Sequence, residues 1–167
     1  HSQDAPLGES ERKKRYDLIL DSLSKLDQQG IELIPQTMPP FPWHFGGQRF
    51  QNLFMDPEET AKFCQQNGYR VCLDISHSKL ACNHHNWSFK KFVEIVAPYS
   101  ALFHIVDAYG IDGEGLQIGD GDIDFVLLGE QLNELSPNIG FIPEIWQGHK
   151  NGGEGFWIAL DKLEQWF

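Results

Sequence analysis

Long apolar runs are missing from this chain: no stretch approaches the ~18 consecutive residues that a membrane-spanning helix needs. The first residues also lack the basic-then-apolar pattern of a secretory signal. Positive charge is scarce. Thirteen Lys and Arg stand against 24 Asp and Glu, a formal net charge of −11, so nucleic acid and anionic membrane surfaces are poor partners. Cysteine is nearly absent. Cys64, Cys72 and Cys82 form no Cys-x-x-Cys pair, and an odd number cannot all be bridged. Free thiols in a reducing, cytoplasmic setting are expected, with Cys72 in an apolar run suited to the core. Neither an internal repeat nor a low-complexity tract is present.

What is there fits an ordinary globular protein. The 167 residues suit one domain, and a composition of 41% hydrophobic, 13% aromatic and 22% charged residues excludes disordered, collagen-like and disulfide-scaffold chains. Residues 1–14 read as a polar leader and 15–167 as the domain. Tyr16, Ile19, Leu20, Leu23 and Leu26 recur at helical spacing until Gly30. A strand is expected over Ile31 to Gln36, followed by a loop rich in proline and aromatics. Asp56-Pro57-Glu58-Glu59 then supplies an N-cap, an N1 proline and an N3 carboxylate for a helix ending at Asn67-Gly68.

Further on, Tyr69 to Ser76 is β-rich, Ser88 caps a helix carrying Phe89, Phe92, Val93 and Val96, and Ala101 to Val106 is strand-like. A Gly/Asp-rich connector over Ala108 to Gly121 leads to a helix with Phe125, Leu128, Leu132 and Leu135. The last strand is expected over Phe141 to Trp146 and the last helix over Phe156 to Trp166. Strands alternate with helices, and no Asn-Gly or Asp-Gly is seen joining two neighbouring strand-like runs, so a parallel sheet is expected. It could be open and doubly wound or closed into a (β/α) barrel.

Near the C-terminal end of each strand-like run sits a residue able to bind a metal or move a proton: Gln36, Asp74 with His77, His104 with Asp107, and Glu144. In an open sheet these groups would be spread along an edge, whereas in a barrel they converge on one mouth. Taken singly, each could equally cap the next helix. His77, His84 and His85 read as surface histidines, and adjacent His84 and His85 would face opposite ways on a strand. The segment from Asp112 to Asp122 lacks EF-hand spacing and reads as a turn-rich connector.

With these positions placed, the sequence resembles the xylose isomerase-like TIM-barrel superfamily of sugar isomerases and epimerases, which also contains endonuclease IV-type enzymes. The matching segments are Gly-Ile-Glu-Leu-Ile-Pro-Gln36, Cys-Leu-Asp74-Ile-Ser-His77, Phe-His104-Ile-Val-Asp107, Gly119-Asp-Gly121-Asp-Ile-Asp-Phe and Ile-Pro-Glu144-Ile. The resemblance implies a divalent cation, Mn, Mg, Co or Zn, on Asp74, His104, Glu144 and the Gln36 position. Glu144 and the residue at 36 would be the proton-transfer pair. Two departures stand out. The family's fourth-strand Glu is Gln36 here, an amide that cannot act as a base, and the His of endonuclease IV-type members is replaced by Gly115.

The resemblance also implies a parallel (β/α) barrel present only from strand four to strand eight, about five βα units, with the rest supplied by a missing N-terminal half-barrel or by a second copy in a homo-oligomer. The expected ligand is a small-molecule sugar or sugar phosphate. His77, Asp107, Trp43, His44, Arg49 and Lys150 are its candidate contacts, with Phe45 and Asn151 beside them. The loop from Trp43 to Arg49 could stack on a sugar and meet an anionic group, or be a lid packed for structure. Two functions stand open: a metal-dependent isomerase or epimerase, and a non-catalytic, degenerate barrel that binds a carbohydrate or supports a larger biosynthetic protein.

Overall fold

The structure is a computed structural model that describes residues 2–3, 5–44 and 47–166. In chain order it contains β1 (Ser2–Gln3), α1 (Glu9–Ser24), β2 (Trp43–His44), β3 (Gly47–Gln48), β4 (Phe50–Gln51), α2 (Pro57–Asn67), β5 (Val71–Asp74) and α3 (Ile75–His85). Then come α4 (Phe89–Val96), a 3-10 turn (Ala97–Tyr99), β6 (Ser100–Ile105), β7 (Asp107–Tyr109), β8 (Gly113–Leu116), α5 (Phe125–Leu135), β9 (Phe141–Pro143) and α6 (Lys150–Leu163).

The central sheet is parallel, in the order β5-β6-β9, and Gln36 adds a single parallel bridge beside Cys72. Every residue of β5 is buried, because helices cover the sheet, β6 flanks it on one side and the Gln36 segment lies along the other. Leu73, Ile75, Leu80, Phe92, Val93, Phe103, Ile105, Leu132 and Leu163 form one continuous core that joins β5 and β6 to α3, α4, α5 and α6. The sheet does not close on itself, so the arrangement is an α/β fold with a barrel-like arc.

Local chemistry sets the helix ends. The Asp56 carboxylate accepts from the backbone N–H groups of Glu58 and Glu59 at 2.9 and 3.1 Å, Pro57 opens α2, and Gly68 closes it in the left-handed region. Glu59 reaches Arg12 of α1 at 2.7 Å, tying the first helix to the second. Ser88 caps α4 as expected, and Asp124 caps α5. No helix among the described residues is long and apolar enough to cross a membrane.

Five expectations are corrected. The expected strand over Ile31 to Gln36 makes only the Gln36 bridge. That bridge consists of the Cys72 N–H donating to the Pro35 carbonyl at 2.7 Å and the Thr37 N–H donating to the Cys72 carbonyl at 3.0 Å, and Pro35 has no N–H to carry the ladder back toward Ile31. Tyr69 to Ser76 is a strand only as far as Asp74. There the chain turns straight into α3, which places His77, His84 and His85 on a helix. The Gly/Asp connector forms an antiparallel hairpin, β7 with β8, and two further antiparallel pairs, β1-β4 and β2-β3, stand outside the parallel sheet. The last strand stops at Pro143, and α1 begins at Glu9, inside the segment read as a leader.

The capping geometry predicts that Asp56→Ala lowers the unfolding free energy by about 1 kcal/mol. Urea denaturation followed by circular dichroism would measure this, with Glu58→Ala as a neighbouring control that should change stability little.

Candidate metal centre

Three carbonyl-end positions of the parallel sheet converge. Asp74 ends β5, His104 lies opposite it in the β5-β6 register, and Glu144 follows β9, whose Ile142 pairs with His104. One ligand atom from each of Asp74, His104 and Glu144 lies within 4.8 Å of the other two. His104 Nδ1 is 2.8 Å from Glu144 Oε2 and 3.5 Å from Asp74 Oδ2.

Asp74 is 0% exposed and fully engaged. Its Oδ1 accepts from the His77 backbone N–H at 2.9 Å, which caps α3, and its Oδ2 accepts from Gln36 Nε2 at 2.8 Å. Its own N–H donates to Thr37 Oγ1 at 2.9 Å, and its carbonyl accepts from Ser78 Oγ at 2.6 Å. His77 therefore belongs to the site and not to the free surface. Its Nδ1 lies 3.0 Å from the Thr37 carbonyl and 3.3 Å from Asp74 Oδ2, and its Nε2 lies 3.3 Å from Glu114 Oε2.

These contacts bias protonation. Burial pushes the Asp74 carboxyl up, but the charge of His77 and the proximity of His104 outweigh it and hold the group below the ordinary carboxylate value. Burial pushes His77 down, and the nearby carboxylates of Asp74 and Glu114 carry it above the ordinary imidazole value. Asp74, then Cys72 and Glu144, push His104 up to about 12. The site thus surrounds two histidines with acids that favour their charged forms.

Such a donor set suits a divalent cation: two carboxylates and one imidazole are ligands shared by Zn, Mn, Co and, through oxygen, Mg. His104 Nδ1 supplies an independent sign. It is buried, yet its N–H direction satisfies no acceptor despite two carboxylates nearby. An imidazole nitrogen 2.8 and 3.5 Å from two carboxylate oxygens, with no hydrogen bond of its own, is a donor that a cation can share with them. Glu144 keeps 53% of its side chain exposed, leaving an approach for an oxygen-bearing ligand. Gln36 touches the site through its amide nitrogen.

Other candidates fall elsewhere. Asp107 is 0% exposed, and its carboxylate accepts from the N–H groups of Ala108, Gly119, Gly121 and Ile123 at 2.8 to 3.3 Å. It organises the β8-to-α5 connection and has no oxygen to spare for a substrate. Gly121 is required there, since a Cβ would lie 2.3 Å from Asp107 Oδ1. Trp43 is 66% exposed on β2, and Arg49 is exposed between β3 and β4. Lys150 is exposed and reaches Gln147 Oε1 at 2.8 Å, while Asn151 reaches Glu154 at 2.9 Å. Phe45 and the side chain of His44 lie outside the described residues. Sequence reasoning missed Thr37, Ser78 and Glu114. Its one available signal for Glu114 was the Gly-Glu-Gly run beside the expected strand, which the connector reading set aside.

The chain belongs to the xylose isomerase-like TIM-barrel family, whose model matches residues 2–165. Among solved structures it is similar to a D-tagatose 3-epimerase-like protein, at 20% identity and a TM-score of 0.61, covering 92% of this chain and 56% of that one. It is also similar to a D-psicose 3-epimerase from Clostridium cellulolyticum H10 crystallised with D-tagatose, at 16% identity and a TM-score of 0.62, covering 93% and 56%. These identities show a shared fold. The chain spans little more than half the length of those structures. No curated protein matches it. Gly115 fits the departure from endonuclease IV-type members: its φ is +76°, and a Cβ would lie 2.9 Å from Trp146 Cβ, leaving no room for a histidine.

Asp107→Asn replaces an oxygen that accepts from two backbone N–H groups with an amide or leaves the other pair facing one. It should lower stability by about 2–3 kcal/mol, read as a drop in the midpoint of chemical denaturation.

Proposed function

We propose that this chain is a sugar epimerase- or isomerase-type domain that holds a divalent cation, Mn, Mg, Co or Zn, on Asp74, His104 and Glu144, with Gln36 as a weak or orienting fourth position. The observation that carries the reading is the convergence of three ligand atoms from three strand ends within 4.8 Å, with the buried His104 Nδ1 unsatisfied between the two carboxylates. When bound, the cation would supply stabilisation of the negative charge that develops when a proton leaves the carbon beside a sugar carbonyl. Glu144, half exposed, is the carboxylate placed to take or return that proton. His77 contacts a sugar hydroxyl from the α3 side. Trp43 offers a ring for stacking on its C–H face, and Arg49 and Lys150 meet an anionic group where the sugar is phosphorylated.

The open sheet stands for the second half of a barrel, the arc from strand four to strand eight expected in about five βα units, and its exposed edges are completed by an N-terminal half-barrel or a second copy. Three buried free cysteines suit a reducing, cytoplasmic setting. One observation favours a second reading. Gln36 stands where the family's other proton-transfer Glu is expected, and its amide donates to Asp74, as in a degenerate barrel that binds a carbohydrate without turning it over or supports a larger biosynthetic protein.

Calorimetric titration with Mn tests the metal assignment. The parent should bind one equivalent, His104→Ala and Asp74→Asn should bind at least tenfold more weakly, and Gln36→Glu should bind roughly tenfold more tightly because a hard cation prefers a charged oxygen. Equal affinities across the set would remove these residues from the site. Incubating the Mn-loaded protein with D-tagatose in deuterated water then separates the two readings. Loss of the C–H proton beside the carbonyl supports the epimerase, and sugar binding without exchange supports the binding domain.

A further inference from the structure

Glu114 is a carboxylate of the site that neither the strand-end pattern nor the metal-ligand set accounts for. It lies on β8, in the hairpin that rises from the end of β6, and its Oε2 is 3.3 Å from His77 Nε2. Two close approaches hold its backbone in place. A Cβ on Gly113 would fall 2.6 Å from the Tyr109 carbonyl, and one on Gly115 would fall 2.9 Å from Trp146 Cβ. Only glycines allow the hairpin to sit this near both neighbours. The Gly115 carbonyl also accepts from the Trp146 N–H at 2.8 Å, so the strand carrying Glu114 is tied by backbone to the segment carrying Glu144. On its other side Glu114 meets a residue of α3. The hairpin thus links the Glu144 side of the site to the Asp74 side through one side chain.

We propose that Glu114 is a positioning residue: it fixes the His77 ring from the Nε2 end, opposite the Thr37 carbonyl at the Nδ1 end, so that the ring keeps one orientation and its Nε2–H, 3.3 Å from the carboxylate, is shared with a sugar hydroxyl. Held at Nδ1 alone, the ring could leave its orientation by breaking a single contact. A second anchor removes that freedom before any ligand arrives, which lowers the ordering cost of binding. Side-chain exposures of 17% for His77 and 29% for Glu114 leave room for a hydroxyl to reach the pair. The proposal rests on the assignment of His77 as a sugar contact, but its structural half does not.

The test uses the full chain with Glu114→Ala, Glu114→Ser and Glu114→Gln. Long-range proton–nitrogen NMR of the His77 ring, assigned by its loss in His77→Asn, is recorded first with neither metal nor sugar. The two truncations should displace or broaden the His77 ring signals. Glu114→Gln, whose amide oxygen can still accept from the ring, should keep them near the parent's. Signals unmoved in Glu114→Ala and Glu114→Ser, or displaced as far by Gln as by Ala, would overturn the proposal. Mn affinity should stay within about twofold of the parent in all three, since Glu114 is not a ligand, while D-tagatose binding to the Mn-loaded protein weakens by about tenfold in the truncations and by less in Glu114→Gln. Unchanged sugar affinity beside displaced ring signals would overturn the positioning role. Absence of Mn binding in the parent would instead count against the metal assignment, and the metal-free ring spectra would still decide the orientation claim.

Discussion

Asp74 is a carboxylate with no access to water, and the arrangement around it follows from the need to satisfy a buried charge. Its oxygens take the α3 N-terminal amide and the Gln36 side chain, and its backbone takes Thr37 and Ser78. A single residue therefore ends β5, starts α3 without a connecting loop, and fastens the Pro35–Thr37 segment to the sheet. An isolated buried carboxylate would cost several kcal/mol or give up its charge. Here the cost is offset by hydrogen bonds and by the two histidines, and the same contacts orient the oxygen that faces His104 and Glu144.

The balance of charge at the site explains how it can stand metal-free and still suit a cation. Asp74, Glu114 and Glu144 bring three carboxylates to two imidazoles. Without a metal, the carboxylates around His104 and His77 raise both imidazoles above their ordinary value and so favour their charged forms. With one, His104 would give up its proton and take the ion as a neutral ligand. Asp107 shows the contrasting use of a buried carboxylate. Surrounded by four backbone N–H groups, it shapes a connection and has no face open to a ligand.

Sequence pattern revealed the parts of this protein that repeat a simple rule. Asp, His and Glu at successive strand ends were legible because parallel strands place their C-terminal ends on one side, and that rule needs no knowledge of loops. Helix caps at Asp56 and Ser88 were legible for the same reason, since capping is local. The failures share a cause as well. Pro35 interrupts a run whose side-chain pattern is strand-like, but the backbone donor that it removes does not show in hydrophobic alternation. The Tyr69 to Ser76 run conceals a helix start because Asp74 acts as strand end and cap at once. Glu114 was passed over because its glycines looked like loop formers, whereas Gly113 and Gly115 are small so that a hairpin can pack against Tyr109 and Trp146. From its own residues His77 was read as a surface histidine just past a strand end, and only the resemblance made it a sugar contact; the helix that begins at Ile75 turns it inward.

The account stands or falls on one point in space, the position between His104 Nδ1, Asp74 Oδ2 and Glu144 Oε2. Crystals grown with Mn and measured at a wavelength where manganese scatters anomalously locate that ion directly. A single strong anomalous peak about 2.0–2.3 Å from all three side chains is the predicted result. A map with no peak there, or with manganese held only by other residues, would contradict it.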